Sequence, residues 1–102
     1  MDSATVLVSA TEFANRAVAM FHPQEIVLFG SQVHGDANHE SDIDIAVVFD
    51  SLDNTRLEKA FQLYKLRRDI DTRIEPVLIQ RNNDASGFYE HIKATGKILY
   101  QA

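Results

Sequence analysis

The run Asp42-Ile43-Asp44-Ile45-Ala46-Val47-Val48-Phe49 constrains this chain more than any other. Its β-branched and apolar residues read as a buried strand. Strand side chains alternate between faces. Asp42 and Asp44 therefore point one way, and Ile43 and Ile45 point the other way into a core. Burying two like charges side by side is costly. The sheet that holds this strand needs a reason for the pair. A hard divalent cation such as Mg²⁺ supplies one, because it takes oxygen ligands and removes the like-charge penalty.

A second feature lies just upstream. Glu25-Ile26-Val27-Leu28-Phe29 reads as another strand, closed by Gly30 and followed by Ser31. Glycine after a strand lets backbone approach a ligand closely. Backbone N–H groups at the start of a helical turn attract phosphate oxygens, and the Ser31 hydroxyl adds a donor. Gly35 lets the loop turn back toward the acidic strand, and Ser41 either bonds a ligand or starts that strand. A third carboxylate on a neighbouring strand would permit a two-metal arrangement for phosphoryl transfer. Glu75 is the candidate, near the start of Ile74-Glu75-Pro76-Val77-Leu78-Ile79, with Asp71 in reserve.

The remaining elements follow from spacing and punctuation. Met1 to Val8 fits a short strand or a first helical turn, and Ser9 with Glu12 fits a capping box. Phe13, Ala17, Met20 and Phe21 recur at helical spacing until Pro23. Asp53 or Asn54 caps a helix with Leu57, Phe61, Tyr64 and Leu66 as its apolar positions. Pro76 favours an edge or a strand start. Asn83 or Asp84 begins a last helix carrying Phe88, Tyr89 and Ile92. Gly96 stops it, and Lys97 to Tyr100 adds a short terminal strand. The order predicts one small α+β (α/β) domain over residues 1–102, a mixed sheet with helices mainly on one face.

Composition narrows the function classes. The 102 residues carry a net charge of -5, 45% apolar residues and no cysteine. Disulfides and thiolate metal sites are excluded, which fits the reducing cytoplasm expected here. No apolar run approaches the length of a membrane span, and the N-terminus lacks a signal peptide's basic region. Nucleic-acid binders usually show a basic stripe. The nearest one is Lys65-Leu66-Arg67-Arg68, with Arg73 and Arg81 beyond, set against fifteen acidic residues. It reads as a solvated helix end. His22, His39 and His91 are scattered, and Tyr64, Tyr89 and Tyr100 occupy apolar positions suited to a core or an interface.

Taken together, Gly30-Ser31, ten intervening residues, then Asp42-x-Asp44 resemble the signature of the minimal nucleotidyltransferases of the polymerase-β superfamily. "IVLFGSQVHG" is similar to that family's first strand and loop, "SDIDIAVVF" to its second strand, "RIEPVLI" to its third, and "GFYEHIKATGKILY" to its closing helix and strand. The resemblance implies the polymerase-β-like nucleotidyltransferase fold. It implies one or two Mg²⁺ ions held by Asp42, Asp44 and Glu75, and a nucleoside triphosphate, ATP foremost, held by Gly30 and Ser31 with His34, Gly35 and Ser41 nearby. It further implies that Glu75 helps activate the attacking hydroxyl, which attacks the α-phosphorus with loss of pyrophosphate. Such chains are commonly encoded beside a helical HEPN protein. There they serve as the antitoxin that adenylylates a hydroxyl, typically tyrosine, on the toxin.

Two positions depart from the family's commoner pattern. His34 stands where many members carry arginine, a permanent bidentate phosphate ligand. Glu75 stands where aspartate is more frequent, and its extra methylene moves the oxygens on a scale that catalysis feels. Two other readings therefore stay open. One is an inactive relative that neutralises its partner by contact. The other is a transferase for a small molecule or an RNA end, motivated by the basic run around Arg67.

Overall fold

Alternation divides the acidic strand, β2 (Ile43–Phe49), between two buried layers. Ile43, Ile45, Val47 and Phe49 join one apolar cluster, while Ala46 and Val48 join another. The computed structural model describes residues 3–34 and 41–102. In it β2 pairs antiparallel with β1 (Glu25–Phe29) and parallel with β3 (Ile74–Gln80), and β4 (Lys97–Gln101) runs antiparallel to β1. The sheet order is β3-β2-β1-β4. A parallel pair needs a crossover rather than a tight turn. α3 (Arg56–Leu66) supplies it. Pro76 falls on the edge strand β3, as expected from its missing N–H. The mixed sheet with its α+β order is the fold class the sequence predicts.

The larger cluster seats α1 (Ser3–Phe21) on the sheet. Val6, Ala10, Phe13, Ala14 and Ala17 form its buried stripe, at the three- and four-residue spacing of an amphipathic helix. Three alanines in that stripe let the helix lie close to the strands. α1 resolves the ambiguity at Met1 to Val8 in favour of helix from Ser3 onward. Ser9 and Glu12 thus fall inside the helix and make no capping box; the Ser9 hydroxyl bonds Asp71 instead. The helix ends at Phe21, and His22 takes a left-handed φ of 51° ahead of Pro23.

α3 departs from the expected face. Leu63 is its buried residue, with Ala60 and Leu66 packed partly against the same cluster. Leu57, Phe61 and Tyr64 are exposed, Leu57 to 83%. The two stripes have similar helical spacing, so periodicity alone cannot choose between them. Lys65 and Arg67 lie over the rings of Phe61 and Tyr64.

α4 (Phe88–Thr95) covers the other face, against Val27, Ala46, Val48 and Ile79 through Ile92. It starts later than Asn83 or Asp84, because a 3₁₀ turn over Arg81–Asn83 comes first. Asp84 still caps it: its carboxylate accepts from the N–H groups of Tyr89 and Glu90 at 3.0 and 3.1 Å. At the other end Gly96 is required. A β-carbon there would meet the carbonyls of Ile92 and Leu28 at 2.6 and 2.7 Å.

Candidate active site

The α4 face of the sheet brings the predicted carboxylates into one row. Asp44 stands opposite Phe29 on β1 and opposite Glu75 on β3. Asp42 immediately precedes β2, two residues before Asp44, where alternation sends its side chain to the same face. β1 ends at Phe29, Gly30 adopts φ 82°, and the short turn α2 (Ser31–His34) begins at once. Gly30 lies so near Asp44 that a β-carbon would overlap Oδ2. No other residue type fits there without displacing the carboxylate. His34 closes α2; its side chain, like Gly35 and His39, lies outside the described residues.

Gln32, which the sequence reading passed over, ties this corner together. Its Nε2 donates to the carbonyls of Ser41 and Asp42 at 3.2 and 3.4 Å. The chain thus returns from the loop to β2 within reach of α2. Arg73 holds the same segment from the other side, its carbonyl accepting from the Ile43 N–H at 2.8 Å.

The row is electrostatically loaded. Burial first, then the charge of Asp42 and then that of Glu75, push the Asp44 carboxyl above its ordinary value. None of the ion pairs among the described residues involves Asp42, Asp44 or Glu75. Hard oxygen donors that repel one another suit a divalent cation. Among the described residues, no three acidic, histidine or cysteine groups are placed to hold a metal ion together. The donor set fits a cation at Asp42 and Asp44, with Glu75 in register beside them.

Other candidates have different duties. Asp71 is held by Arg73 in an ion pair at 2.8 Å and accepts from the Arg73 N–H, and these bonds keep its carboxyl below the usual range. Arg67 turns inward: it donates to the Thr72 carbonyl and stacks 3.9 Å from the Tyr64 ring centre. Arg81 pairs with Asp50 at 2.5 Å. The basic run is thus not the free, solvated helix end the sequence suggested at Arg67.

One buried charge went unnoticed in the sequence. Glu25 is fully buried at the far end of β1. Tyr89 Oη donates to its Oε1, Lys93 Nζ lies 3.0 Å from its Oε2, Arg81 lies 3.7 Å away, and Gln101 donates at 3.3 Å. Burial raises its pKa, but the Tyr89 and Lys93 hydrogen bonds and the two cationic charges outweigh burial and hold it below normal. The available signal was Tyr89 and Lys93, one helical turn apart on α4 and facing a lone acid in an apolar strand.

The sequence profile described as "Polymerase beta, Nucleotidyltransferase" matches residues 14–102. The chain belongs to this nucleotidyltransferase family. A crystal structure of a candidate nucleotidyltransferase from Sulfolobus solfataricus superposes with a TM-score of 0.69 at 21% identity, over 97% of this chain and 83% of that one, and shows the same fold. A toxin–antitoxin structure with AMP-PNP superposes with a TM-score of 0.64 at 27% identity, over 90% of this chain and 73% of that one. A third, the toxin–antitoxin MntA–HpeT carrying two Asp→Glu substitutions two positions apart, gives 0.63 at 25% identity with the same coverage. No curated protein matches. Within the described residues, no helix of this nucleotidyltransferase is long and apolar enough to cross a membrane.

Proposed function

We propose that this family member transfers AMP from ATP to a hydroxyl on a partner protein, as the antitoxin of a pair whose toxin is a helical HEPN-type protein. The observation that carries the reading is the half-buried Asp44 carboxylate, flanked by Glu75 and Asp42 and pressed against Gly30. Two neighbours support the biological setting: one is a toxin–antitoxin with an ATP analogue, the other a toxin–antitoxin altered at two aspartates of the same spacing.

In this reading Asp42 and Asp44 hold Mg²⁺. The backbone of Gly30 and Ser31, with the Ser31 hydroxyl, receives the outer phosphates; His34, Gly35 and Ser41 complete the phosphate loop. A bound Mg²⁺ supplies the charge that screens the triphosphate oxygens. Glu75 accepts the proton of the acceptor hydroxyl. The acceptor oxygen bonds the α-phosphorus as the bond to pyrophosphate breaks. The test titrates the chain with Mg²⁺ and ATP and follows the amide resonances of Gly30, Ser31, Asp42, Asp44 and Glu75. Shifts that require both ligands, together with a partner mass increase of one AMP that Asp44→Asn abolishes, are expected. Unchanged transfer by that variant overturns the reading.

A second reading rests on His34 and Glu75, which depart from the family's commoner pattern: an inactive relative that neutralises its partner by contact. It requires that Asp42→Asn leave neutralisation intact. A role at an RNA end is weakened by the inward turn of Arg67.

A further inference from the structure

The row of carboxylates ends in an aromatic residue. Phe29 is the register partner of Asp44 and is followed directly by Gly30, so its ring stands on the Asp44 side of the sheet. Against it lies Phe88, the first residue of α4, with ring centres 5.7 Å apart and planes at 84°. Phe88 remains 42% exposed. A large apolar ring is thus left partly open to solvent on the side of the sheet that carries Asp44.

The space next to it is open as well. Gly87, immediately before Phe88, has φ 76°, and a β-carbon built there would meet nothing within 4 Å. The ring's backbone is nonetheless fixed. Asp84 caps the first turn of α4, Tyr89 and Lys93 bond Glu25, and Gly96 seats the last turn on β1. Asp44, Phe29 and Phe88 are consecutive neighbours: Asp44 is in register with Phe29, and the Phe29 ring meets the Phe88 ring.

We propose that Phe88, backed by Phe29, is the platform on which the base of the nucleotide stacks; this rests on the reading of Asp42 and Asp44 as the triphosphate site. Stacking on a phenyl ring uses the π-face common to all bases. The platform therefore favours purines over pyrimidines by contact area and reads no base edge.

The test compares ATP with inorganic tripolyphosphate, each with Mg²⁺, on the full chain and on Phe88→Ala, Phe88→Leu and Phe88→Trp. Circular dichroism first shows that each variant is folded. Phe88→Ala is expected to weaken ATP binding ~10-fold and leave tripolyphosphate binding unchanged. Phe88→Trp restores ATP affinity, and Phe88→Leu, apolar but without a π-face, does not. If ATP and tripolyphosphate bind and Phe88→Ala affects them equally or not at all, the platform is overturned while the triphosphate site stands. If the wild-type chain binds neither, the triphosphate site fails and takes the platform with it.

Discussion

Gly30 is in contact with the carboxylate of Asp44, at the point where β1 gives way to α2 and where the backbone turns left-handed. The two residues are fourteen apart in sequence and share one volume, which leaves no room for a side chain at position 30.

Gly30→Ala should therefore do two kinds of damage. A β-carbon at φ 82° costs about 1–2 kcal/mol, and its overlap with Oδ2 must turn the Asp44 side chain away. Thermal unfolding should show a modest loss of stability, and nucleotidyl transfer should fall far more than that loss explains. A variant with normal transfer would mean that the Asp44 rotamer seen here is not the working one.

Asp44→Asn should stabilise the metal-free protein. Burial, Asp42 and Glu75 raise the Asp44 pKa, so its favourable contribution is present below the ordinary aspartate value of 3.8 and is lost as pH rises through the elevated value. At neutral pH the ionised group is a net cost. In EDTA the variant should melt above wild type at pH 7, with the gap closing in acid. Added Mg²⁺ should raise the wild-type melting temperature and leave the variant unmoved.

Glu25 should behave in the opposite way. Its lowered pKa means that its contribution is present above the ordinary value of 4.5 and lost as pH falls through the depressed one. Glu25→Ala takes the shared acidic partner from Lys93 and Arg81 and should lower stability at neutral pH, by less in high salt because both cations reach solvent. Glu25→Gln should flatten the acid limb of the stability curve. Both are read from denaturant melts across pH.

On α3 the two apolar stripes should separate cleanly. Leu63→Ala opens the core and should cost about 2–4 kcal/mol, whereas Leu57→Ala should stay within about 0.5 kcal/mol of wild type. Urea unfolding of the two single variants decides it.

The strands were readable because their signals are local. Glu25–Phe29, the acidic strand and the Pro76 strand each show β-rich runs bounded by glycine or polar residues. Gly30, Asp42, Asp44 and Glu75 stood out because glycine and charge are anomalous in such runs. What escaped depends on contacts distant in sequence. Glu25 meets Tyr89 sixty-four residues later. Asp71 is occupied by its neighbour Arg73 and by Ser9. Leu63 rather than Leu57 faces the sheet, a matter of how α3 is rotated. By sequence Phe88 groups with Tyr89 and Ile92 on the last helix, and an apolar residue at a helix start carries no mark of which side will be covered.

The strain at Asp44 also has an evolutionary reading. A carboxylate that weakens its own fold is removed by the smallest of side-chain changes, to asparagine, and the domain folds better for it. In descendants of this chain freed from phosphoryl chemistry, position 44 should be among the first to lose its charge. Glu25, whose charge supports the fold, should persist after the chemistry has gone. The two carboxylates, one on β2 and one on β1, would then serve as independent clocks, one recording the history of the activity and the other that of the fold.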